Sequence, residues 1–379
     1  MDYRIIYVNA EAIFAVMLII LYALERSNRK NHMPRKLDAL YACFIVTIIL
    51  DSIWIIIDGQ PRLRTFNMIL NVVYLSITSF IGYLWFLYTL DMFPSRTKLQ
   101  KIKYYLAIPV VLDVLIVIFS PITGWAFTID ESGYYQRGAL HILSFLMNYV
   151  FTMLGSYAAL AARKEALLSV DKKRLAVAAF FPVPIIVLTA IQFVLPPGLP
   201  AMQGGVMISL VLVYATHQNV LVSRDPMTGL SNRFSFESDL MHRMENYREK
   251  GTRLYLMEGD LDNLKSINDS MGHPAGDRAI QLASEALSQV FSPFGSLVFR
   301  LGGDEFMVIV ETQEALEAEA LRRQLNEVLS EKAGEGGFSM GLSMSLGATE
   351  YQGDTDFRSL IKMADADLYE IKAKRKRLA

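Results

Sequence analysis

Two acidic stretches of the chain have the spacing that divalent-metal chemistry requires. Asp260-Leu261-Asp262 directly follows an apolar run, Arg253–Gly259, that reads as a strand. The second stretch is Arg300–Phe306 (RLGGDEF), in which two glycines and two acids separate the short apolar strands Leu297–Arg300 and Phe306–Val310. Mg²⁺ prefers carboxylate oxygens together with substrate phosphates. A strand end and a hairpin tip that each present an acid predict a two-metal platform for phosphoryl transfer; a solvated Gly-Asp turn is the alternative.

The elements that must position these acids alternate strands with amphipathic helices. This periodicity predicts an α/β or α+β domain after Val222. Its further predicted elements are a helix over Ala275–Phe291, a Glu-rich helix with a solvated face over Gln313–Lys332, a strand over Phe338–Leu346 and a final helix over Phe357–Lys374.

Four motifs in this part of the chain resemble, in their order, the GGDEF domain of diguanylate cyclases. They are Met227–Arg233 (MTGLSNR), the stretch from Asp260 to Asp277, Gly302–Phe306 and Ser345-Leu346-Gly347. The resemblance covers Asp225–Ala379. It implies a palm-like fold related to nucleotidyl cyclases and polymerases. It also implies a reaction that joins two GTP molecules into cyclic di-GMP and releases two pyrophosphates.

The resemblance implies roles for the acids, residue by residue. Asp260, the Leu261 carbonyl and Asp304 match the ligands of two Mg²⁺ or Mn²⁺ ions per active site. Asp304 also matches the proposed general base for the 3′-hydroxyl, and Glu305 matches the second signature acid. The catalytic and metal-binding residues are therefore expected to meet where the first strand ends beside the hairpin.

The resemblance also implies a nucleotide site. Asn268 and Asp277 match the pair that hydrogen-bonds guanine, and a carboxylate there suits guanine because adenine offers no matching donors. The implied phosphate contacts are Lys265, Lys372 and Lys376, with Gly302 and Gly303 allowing close approach of the backbone to the triphosphate.

The carboxy-terminal tail departs from the family pattern. Lys374–Arg377 (KRKR) stands where members of the family commonly carry Gly-Arg-Asn, so Lys376 replaces an arginine. Lysine keeps the charge but loses the bidentate fork, which predicts weaker triphosphate binding. Alternatively, Arg375 and Arg377 belong to a basic tail that faces solvent or lipid.

Charge and hydropathy divide the chain in two. Its 379 residues are 53% hydrophobic and 20% charged with a net charge of −1. The part before Ser223 has 18 basic and 12 acidic residues, net +6, whereas the rest has 19 and 26, net −7. This balance excludes a protein that binds nucleic acid through overall basicity. Cys43 is the only cysteine, so a disulfide framework and a Cys-rich zinc site are excluded as well.

The amino-terminal part, residues 1–222, is predicted to be an all-α polytopic membrane domain, followed by a catalytic domain over residues 223–379. Apolar runs of about 20 residues can cross the hydrocarbon core as helices. Seven such runs are present: Ile5–Leu24, Ala39–Ile57, Phe66–Leu90, Tyr104–Ser120, Ala139–Ala162, Leu175–Leu195 and Ala201–Val222. The seventh is expected to continue as one rigid helix through Arg224.

Basic residues in the loops predict the orientation of this domain. The loops after the first, third and fifth spans hold Arg26, Arg29, Lys30, Arg35, Lys36, Arg96, Lys98, Lys101, Lys103, Arg163, Lys164, Lys172, Lys173 and Arg174. The opposite side holds only Arg4, Arg62, Arg64 and Arg137. This asymmetry predicts an inner-membrane protein with its amino terminus outside and its catalytic domain in the cytoplasm.

Three acids fall inside predicted spans at similar depth: Glu11, Asp51 and Asp113. Intramembrane acids are costly unless they are paired or hydrated, which makes them regulatory candidates. They are expected either to reach water or headgroups near the interface, or to line an outward-opening cavity for a cation or small ligand.

The leading hypothesis is a membrane-bound diguanylate cyclase that responds to a signal in its membrane domain. One GGDEF site binds one GTP, so the reaction is expected to require a homodimer. Membrane lipids are expected partners and nucleic acid is not. A catalytically silent GTP-binding regulator, or a seven-span receptor or transporter whose cytoplasmic domain only binds partners, remains the alternative.

Feedback by the product is expected to be weak. Many cyclases carry an Arg-x-x-Asp inhibition site shortly before the signature, whereas this chain has Pro293 and Ser296 at those positions. Neither side chain supplies the charges that would bind a cyclic dinucleotide there. We expect low-micromolar cyclic di-GMP to leave the initial rate of the purified protein unchanged. Strong inhibition through this surface would contradict the prediction.

Overall fold

The computed structural model describes residues 3–28, 34–92, 98–192, 199–247, 251–338 and 341–378. The chain divides into two compact units, the first comprising Met1–Ala166 and Lys172–Gln218 and the second Leu167–Asp171 and Asn219–Ala379. The boundary predicted after Val222 thus lies close to the start of the second unit. The short segment Leu167–Asp171, which the sequence assigned to the membrane domain, groups with the second unit.

The first unit consists of helices and one short hairpin. The helices in this part of the chain are α1 (Tyr3–Asn28), α2 (Arg35–Ile57), α3 (Arg64–Met92), α4 (Lys98–Ile102), α5 (Ala107–Thr123), α6 (His141–Glu165), α7 (Ser169–Phe180), α8 (Pro182–Gln192) and α9 (Ala201–Val222). Helix α3 packs against α2, α5 and α6. The antiparallel hairpin of β1 (Phe127–Ile129) and β2 (Tyr135–Arg137) was not expected from the sequence.

Several of these helices suit a membrane. Within the described ranges, five helical stretches are long and apolar enough to cross one, judged by length and composition alone: Tyr3–Ser27, Arg35–Ile57, Pro61–Met92, His141–Glu165 and Ser169–Gln192. Helix α5 is apolar but shorter, and α9 is not among the five. The predicted total of seven spans therefore stays a prediction. Arg29, Lys30, Arg96 and Leu195, on which the predicted loops and sixth span rely, lie outside the described residues.

The polarity of the first unit is inverted relative to a water-soluble domain. Large apolar side chains such as Ile13, Ile122 and Ile142 are exposed, whereas Glu11 and Asp113 are buried. Lipid is as apolar as a protein core, so apolar side chains gain nothing by turning inward and polar ones gain internal partners. The first unit is therefore consistent with a membrane domain.

The second unit is a five-stranded sheet covered by helices on both faces. The strand order is β3-β5-β6-β4-β7, parallel between β3 and β5 and antiparallel elsewhere. The strands are β3 (Ser231–Asn232), β4 (Arg253–Leu261), β5 (Leu297–Gly302), β6 (Glu305–Thr312) and β7 (Met344–Glu350), and the helices are α10 (Arg233–Glu245), α11 (Leu264–Met271), α12 (His273–Phe291), α13 (Ala318–Glu335) and α14 (Phe357–Leu378).

Strand β4 alternates between the two faces of the sheet. Tyr255 and Met257 join the core formed with α12 and α13, whereas Leu254 and Leu256 join the core formed with α10 and α14. Successive strand residues point to opposite faces. Every second residue after Leu256 therefore turns toward α14.

The motif residue Gly347 permits close packing of α14 on β7. A Cβ at this position would lie 2.4 Å from the backbone oxygen of Ala364 and 2.5 Å from the backbone nitrogen of Leu368. Backbone atoms cannot give way as a flexible side chain can. Glycine at 347 thus sets the distance at which α14 crosses the sheet.

Two sequence expectations differ from the structure. A strand was predicted over Phe338–Leu346, but the observed strand, β7, covers Met344–Glu350, the residues that pair with β4. Before β7, the chain turns at Gly341, which has φ +70°. The helix expected to continue through Arg224 ends at Val222, since Arg224 forms a β-bridge with Ser231.

Candidate active site

The two acidic stretches meet at one edge of the sheet. Strands β4 and β6 are antiparallel and in a register that places Asp260 opposite Glu305. The Leu261 N–H donates to the Asp304 carbonyl oxygen at 3.2 Å. The end of β4 and the tip of the β5–β6 hairpin are thus held side by side, as the sequence predicted.

The Asp260 side chain points toward α14 and contacts Lys372 there. Lys372 Nζ lies 2.7 Å from Asp260 Oδ1. Burial raises the pKa of Asp260, Lys372 opposes this, and the neighbouring carboxylates of Asp304 and Asp262 raise it further. Because burial and the neighbouring carboxylates outweigh Lys372, a further cation at this edge would stabilise the Asp260 carboxylate.

Glu258 adds to the negative charge and was not foreseen from the sequence. It lies two residues before Asp260 and therefore on the same face of β4. Burial, together with the carboxylates of Asp365, Glu305 and Asp260, raises the pKa of Glu258 to about 7. Glu258 belongs to no recognisable sequence motif. Its position beside Asp260 becomes evident only from the orientation of β4 in the sheet.

Asp262 has a structural role in this arrangement. Its oxygens accept hydrogen bonds from Ser343 at 3.0 Å and Ser345 at 2.7 Å, and Arg375 also contacts it. The serine of the Ser345-Leu346-Gly347 motif therefore fixes the turn after β4. The alternative interpretation of Arg375 as part of a solvated tail does not fit this contact with the turn. Lys376, in the last turn of α14, is exposed.

A clamp formed by Arg300 with Asp225 and the Gly303 carbonyl holds the hairpin tip. No role for Arg300 was predicted from the sequence. Its Nε and Nη2 donate to the Gly303 carbonyl at 3.1 and 2.9 Å, and its Nη1 donates to Asp225 Oδ1 at 2.9 Å. Asp225 Oδ1 also accepts from the Thr228 N–H and hydroxyl at 2.9 and 2.7 Å. Through Asp225 and Thr228, the clamp joins the turn of the MTGLSNR motif to the hairpin.

The two glycines of the tip leave space beside the acids. Gly302 has φ +151° and Gly303 has φ +52°, and a Cβ on either would meet no atom within 4 Å. Packing therefore does not require glycine here, whereas the backbone conformation does. Glu305 is half-exposed, and its Oε2 lies 3.7 Å from Nη2 of Arg233.

The predicted guanine-binding pair lies on consecutive helices. Asn268 belongs to α11, and Asp277 is the fifth residue of α12. The turn at Gly272 joins the two helices, and the Gly272 N–H donates to the Asn268 carbonyl at 2.9 Å. A Cβ on Gly276 would lie 1.9 Å from Asn268 Oδ1. Asn268 thus packs directly on the residue before Asp277, and Asp277 itself is exposed.

The donor set fits a metal whose shell is completed by substrate. Among the described residues, no three acidic, His or Cys side chains lie together as a ready-made metal cage. Asp260, Asp304 and a backbone carbonyl are hard oxygen donors, and Mg²⁺ is usually held by one or two carboxylates plus phosphates. Lys265 is exposed on α11 and forms no part of this set.

The three predicted regulatory acids do not form one group. Glu11 and Asp51 lie close enough to interact with each other. Asp113 is separate from them, and its two oxygens accept hydrogen bonds from Ser79 at 2.6 Å and Ser144 at 3.2 Å. Asp113 therefore connects α5 to α3 and α6 rather than sharing a cavity with the other two.

The comparison with known families agrees with this geometry. Residues 222–377 match the family described as "Diguanylate cyclase, GGDEF domain". Residues 222–377 are a GGDEF domain. The family match supports the predicted resemblance for this domain. It does not extend into the helical first unit.

Curated relatives match part of this chain. The diguanylate cyclase DosC of Escherichia coli is 34% identical over 152 residues, which cover 39% of this chain and 32% of the relative. The probable diguanylate cyclase DgcC of E. coli is 31% identical over 177 residues, 46% of this chain and 47% of the relative. The cyclic di-GMP phosphodiesterase NbdA of Pseudomonas aeruginosa is 34% identical over 150 residues, 39% and 19% respectively. The chain thus spans less than half the length of each.

Among solved structures, the coiled coil and GGDEF domain of DgcB from Caulobacter crescentus, in complex with c-di-GMP, is 25% identical. The alignment covers 44% of this chain and 89% of that one, with a TM-score of 0.38.

The Asp225–Arg300 clamp is expected to stabilise the GGDEF domain above acidic pH. Burial acts to raise the pKa of Asp225, but hydrogen bonds from Thr228 and Arg300 outweigh it and hold that pKa below its ordinary value. A carboxylate with a lowered folded-state pKa contributes stability above its unfolded pKa, about 3.9, and loses it as pH falls through the folded value. We expect Asp225→Asn to lower the unfolding free energy of a 219–379 fragment by about 1.5–3 kcal/mol at neutral pH.

Far-UV circular dichroism during urea unfolding measures this difference, because the GGDEF domain contains no tryptophan. The difference from wild type is expected to shrink below about pH 4. Asp354→Asn, at an exposed acid, is the control. A difference that is constant down to pH 2, or no difference at all, would contradict the role of the carboxylate.

Gly276→Ala is expected to weaken GTP binding without unfolding the domain. The added methyl group must displace the Asn268 amide, whereas alanine favours the helix itself. We expect KM for GTP to rise about tenfold, equivalent to about 1.4 kcal/mol. Gly334→Ala is a matched control, since it lies in α13 with nothing within 4 Å of the new Cβ. Equal KM values for the two variants would show that Asn268 does not set the affinity.

Proposed function

We propose that the protein is a membrane-bound diguanylate cyclase, which condenses two GTP molecules into cyclic di-GMP and two pyrophosphates. The observation that carries the proposal is the register between β4 and β6, which brings Asp260 beside Glu305 and the Asp304 backbone. The complete acid set, together with the Asn268 and Asp277 pair, favours an active enzyme over a silent GTP-binding regulator. The matches to named diguanylate cyclases support the same reading.

The proposed chemistry follows from the groups at this edge. In each half-reaction the 3′-oxygen of one GTP attacks the α-phosphorus of the other, the bond to pyrophosphate breaks, and Asp304 takes the proton. Mg²⁺ or Mn²⁺, when bound at Asp260, Asp304 and the Leu261 carbonyl, supplies Lewis-acid stabilisation of the phosphates. Lys372 lies where it can exchange its Asp260 contact for a phosphate oxygen. Lys265 and Lys376 are exposed cations, and the proposal assigns them further contacts with the phosphates.

A homodimer is part of the proposal because each GGDEF domain supplies one nucleotide site. The product contains two phosphodiester bonds of opposite direction, so two domains must face each other with their GTP molecules aligned. Holding two reactants in attack geometry contributes about 7–11 kcal/mol in well-oriented systems. Control of this encounter would control the rate.

The membrane part of the proposal rests on the first unit. Its long apolar helices and inverted polarity suit a lipid environment. The basic residues of the odd-numbered loops favour seven spans with the amino terminus outside and the GGDEF domain in the cytoplasm. Only Ser223 and Arg224 separate the end of α9 from Asp225, so a signal from the membrane unit has a short covalent route to the Arg300 clamp.

Purified full-length protein in lipid nanodiscs, incubated with GTP and Mg²⁺ or Mn²⁺, tests the activity. We expect cyclic di-GMP and pyrophosphate to form in a 1:2 ratio, and Asp304→Ala to lower the rate at least about a thousandfold, as loss of a group acting directly on the reacting atoms does. Asp354→Ala, at an exposed acid away from the site, is the matched control. A folded, dimeric sample that binds GTP but forms no product would identify a silent regulator instead.

A further inference from the structure

The first unit contains two adjacent cavities of different character. The polar cavity, about 420 Å³, lies beside the β1–β2 hairpin and is lined by residues that include Asp51, Trp54 and Tyr135. The apolar cavity, about 80 Å³, is lined by residues that include Trp85. Gln203 lines both. Together they offer a polar compartment that leads to an apolar one.

The polar cavity is rich in buried hydrogen-bond acceptors. Asp51 Oδ2 accepts from the Tyr7 hydroxyl at 2.6 Å and from Gln203 Nε2 at 3.3 Å. Glu11 does not line the cavity, but it is fully buried behind Asp51 and interacts with Asp51 and Tyr7. Two carboxyl groups and one amide thus share very few donors.

Gln203 gives an independent indication of a ligand. Its side chain is 9% exposed, and its Oε1 is buried without a hydrogen-bond partner among the described residues. An unsatisfied buried acceptor costs about 1–3 kcal/mol. Because Nε2 is oriented by Asp51, Oε1 cannot exchange places with it without losing that contact. A ligand that donates hydrogen bonds would satisfy it.

The walls of the polar cavity also suit a cation. Trp54, Tyr74 and Tyr135 line it, and aromatic faces attract ammonium groups. The positive side chain of Arg137 lines the hairpin end of the cavity but is exposed, so water weakens its field. His141 lines it as well and is occupied by the Tyr135 hydroxyl at 2.9 Å. The buried acids therefore dominate the interior.

We propose that the two cavities form one binding site for a small organic cation, whose ammonium group contacts Asp51 and Gln203 Oε1 and whose apolar body enters the space beside Trp85. A metal ion or inorganic cation would leave the apolar cavity without a role. That this ligand is the stimulus for cyclic di-GMP synthesis rests on the proposed function, whereas the binding site rests on the first unit alone.

Intrinsic fluorescence provides a direct readout. The chain has three tryptophans, all in the first unit, and Trp54 and Trp85 line the proposed site. Full-length protein in nanodiscs is titrated with phenethylamine, excited where phenyl groups do not absorb. 2-Phenylethanol and phenylpropionate are the neutral and anionic probes of similar size. We expect saturable binding of phenethylamine, with the other two at least about tenfold weaker.

Matched variants locate the site. Asp51→Asn is expected to weaken phenethylamine binding at least about tenfold. Asp113→Asn replaces a buried acid of the same unit that lies outside both cavities, and is expected to leave binding unchanged. Gln203→Leu keeps both acids but removes the unpartnered acceptor, and is expected to weaken binding as well. It tests the site even if Asp51→Asn does not fold.

If the amine, the alcohol and the anion bind equally well, the fluorescence change reports only their partition into lipid. That result would overturn the proposal. Wild-type affinity in both Asp51→Asn and Gln203→Leu, checked for folding by size-exclusion chromatography, would overturn it too. Cyclic di-GMP formation is measured in parallel. Specific amine binding without any product would leave the site in place and refute the cyclase proposal, so the two failures are distinguishable.

Discussion

The arrangement of the GGDEF domain depends on the contacts of one guanidinium group. Arg300 precedes the hairpin tip; its Nε and Nη2 donate to the Gly303 carbonyl, and its Nη1 donates to Asp225. A glycine-rich tip has no side chains with which to hold itself, so its geometry must be imposed from outside. Arginine can do this because its planar fork binds two partners at fixed angles. Asp304 and Glu305 follow Gly303 directly, so their positions depend on this clamp.

The sequence predicted that the two acidic stretches of the candidate site meet, because the motifs that carry the acids also contain the strands that position them. Asp260 ends a strand, Asp304 and Glu305 occupy a hairpin, and the antiparallel pairing of β4 and β6 brings them together. What sequence could not provide were contacts between distant segments. The binding of Asp262 to Ser343, Ser345 and Arg375 joins three elements separated by about a third of the chain, and no local pattern encodes it.

The same limit applies to the membrane unit. Periodicity and hydropathy located its helices, but they gave Glu11, Asp51 and Asp113 the same status because all three are acids at similar depth. The structure separates them by their neighbours: two serines satisfy Asp113, whereas Glu11 and Asp51 face each other with few donors. In lipid, where water cannot supply a missing partner, this difference distinguishes an acid that joins helices from one suited to a ligand.

The open space around Gly302 and Gly303 separates architecture from catalysis in this domain. The core, the Arg300 clamp and the packing of α14 on Gly347 involve no contact with the Cα faces of the two tip glycines. Changes at the tip that its backbone conformation tolerates can therefore leave the sheet and its helices unaltered. A fold that remains intact is for this reason no sign that the proposed reaction is retained, and the composition of the tip has to be considered apart from the stability of the domain.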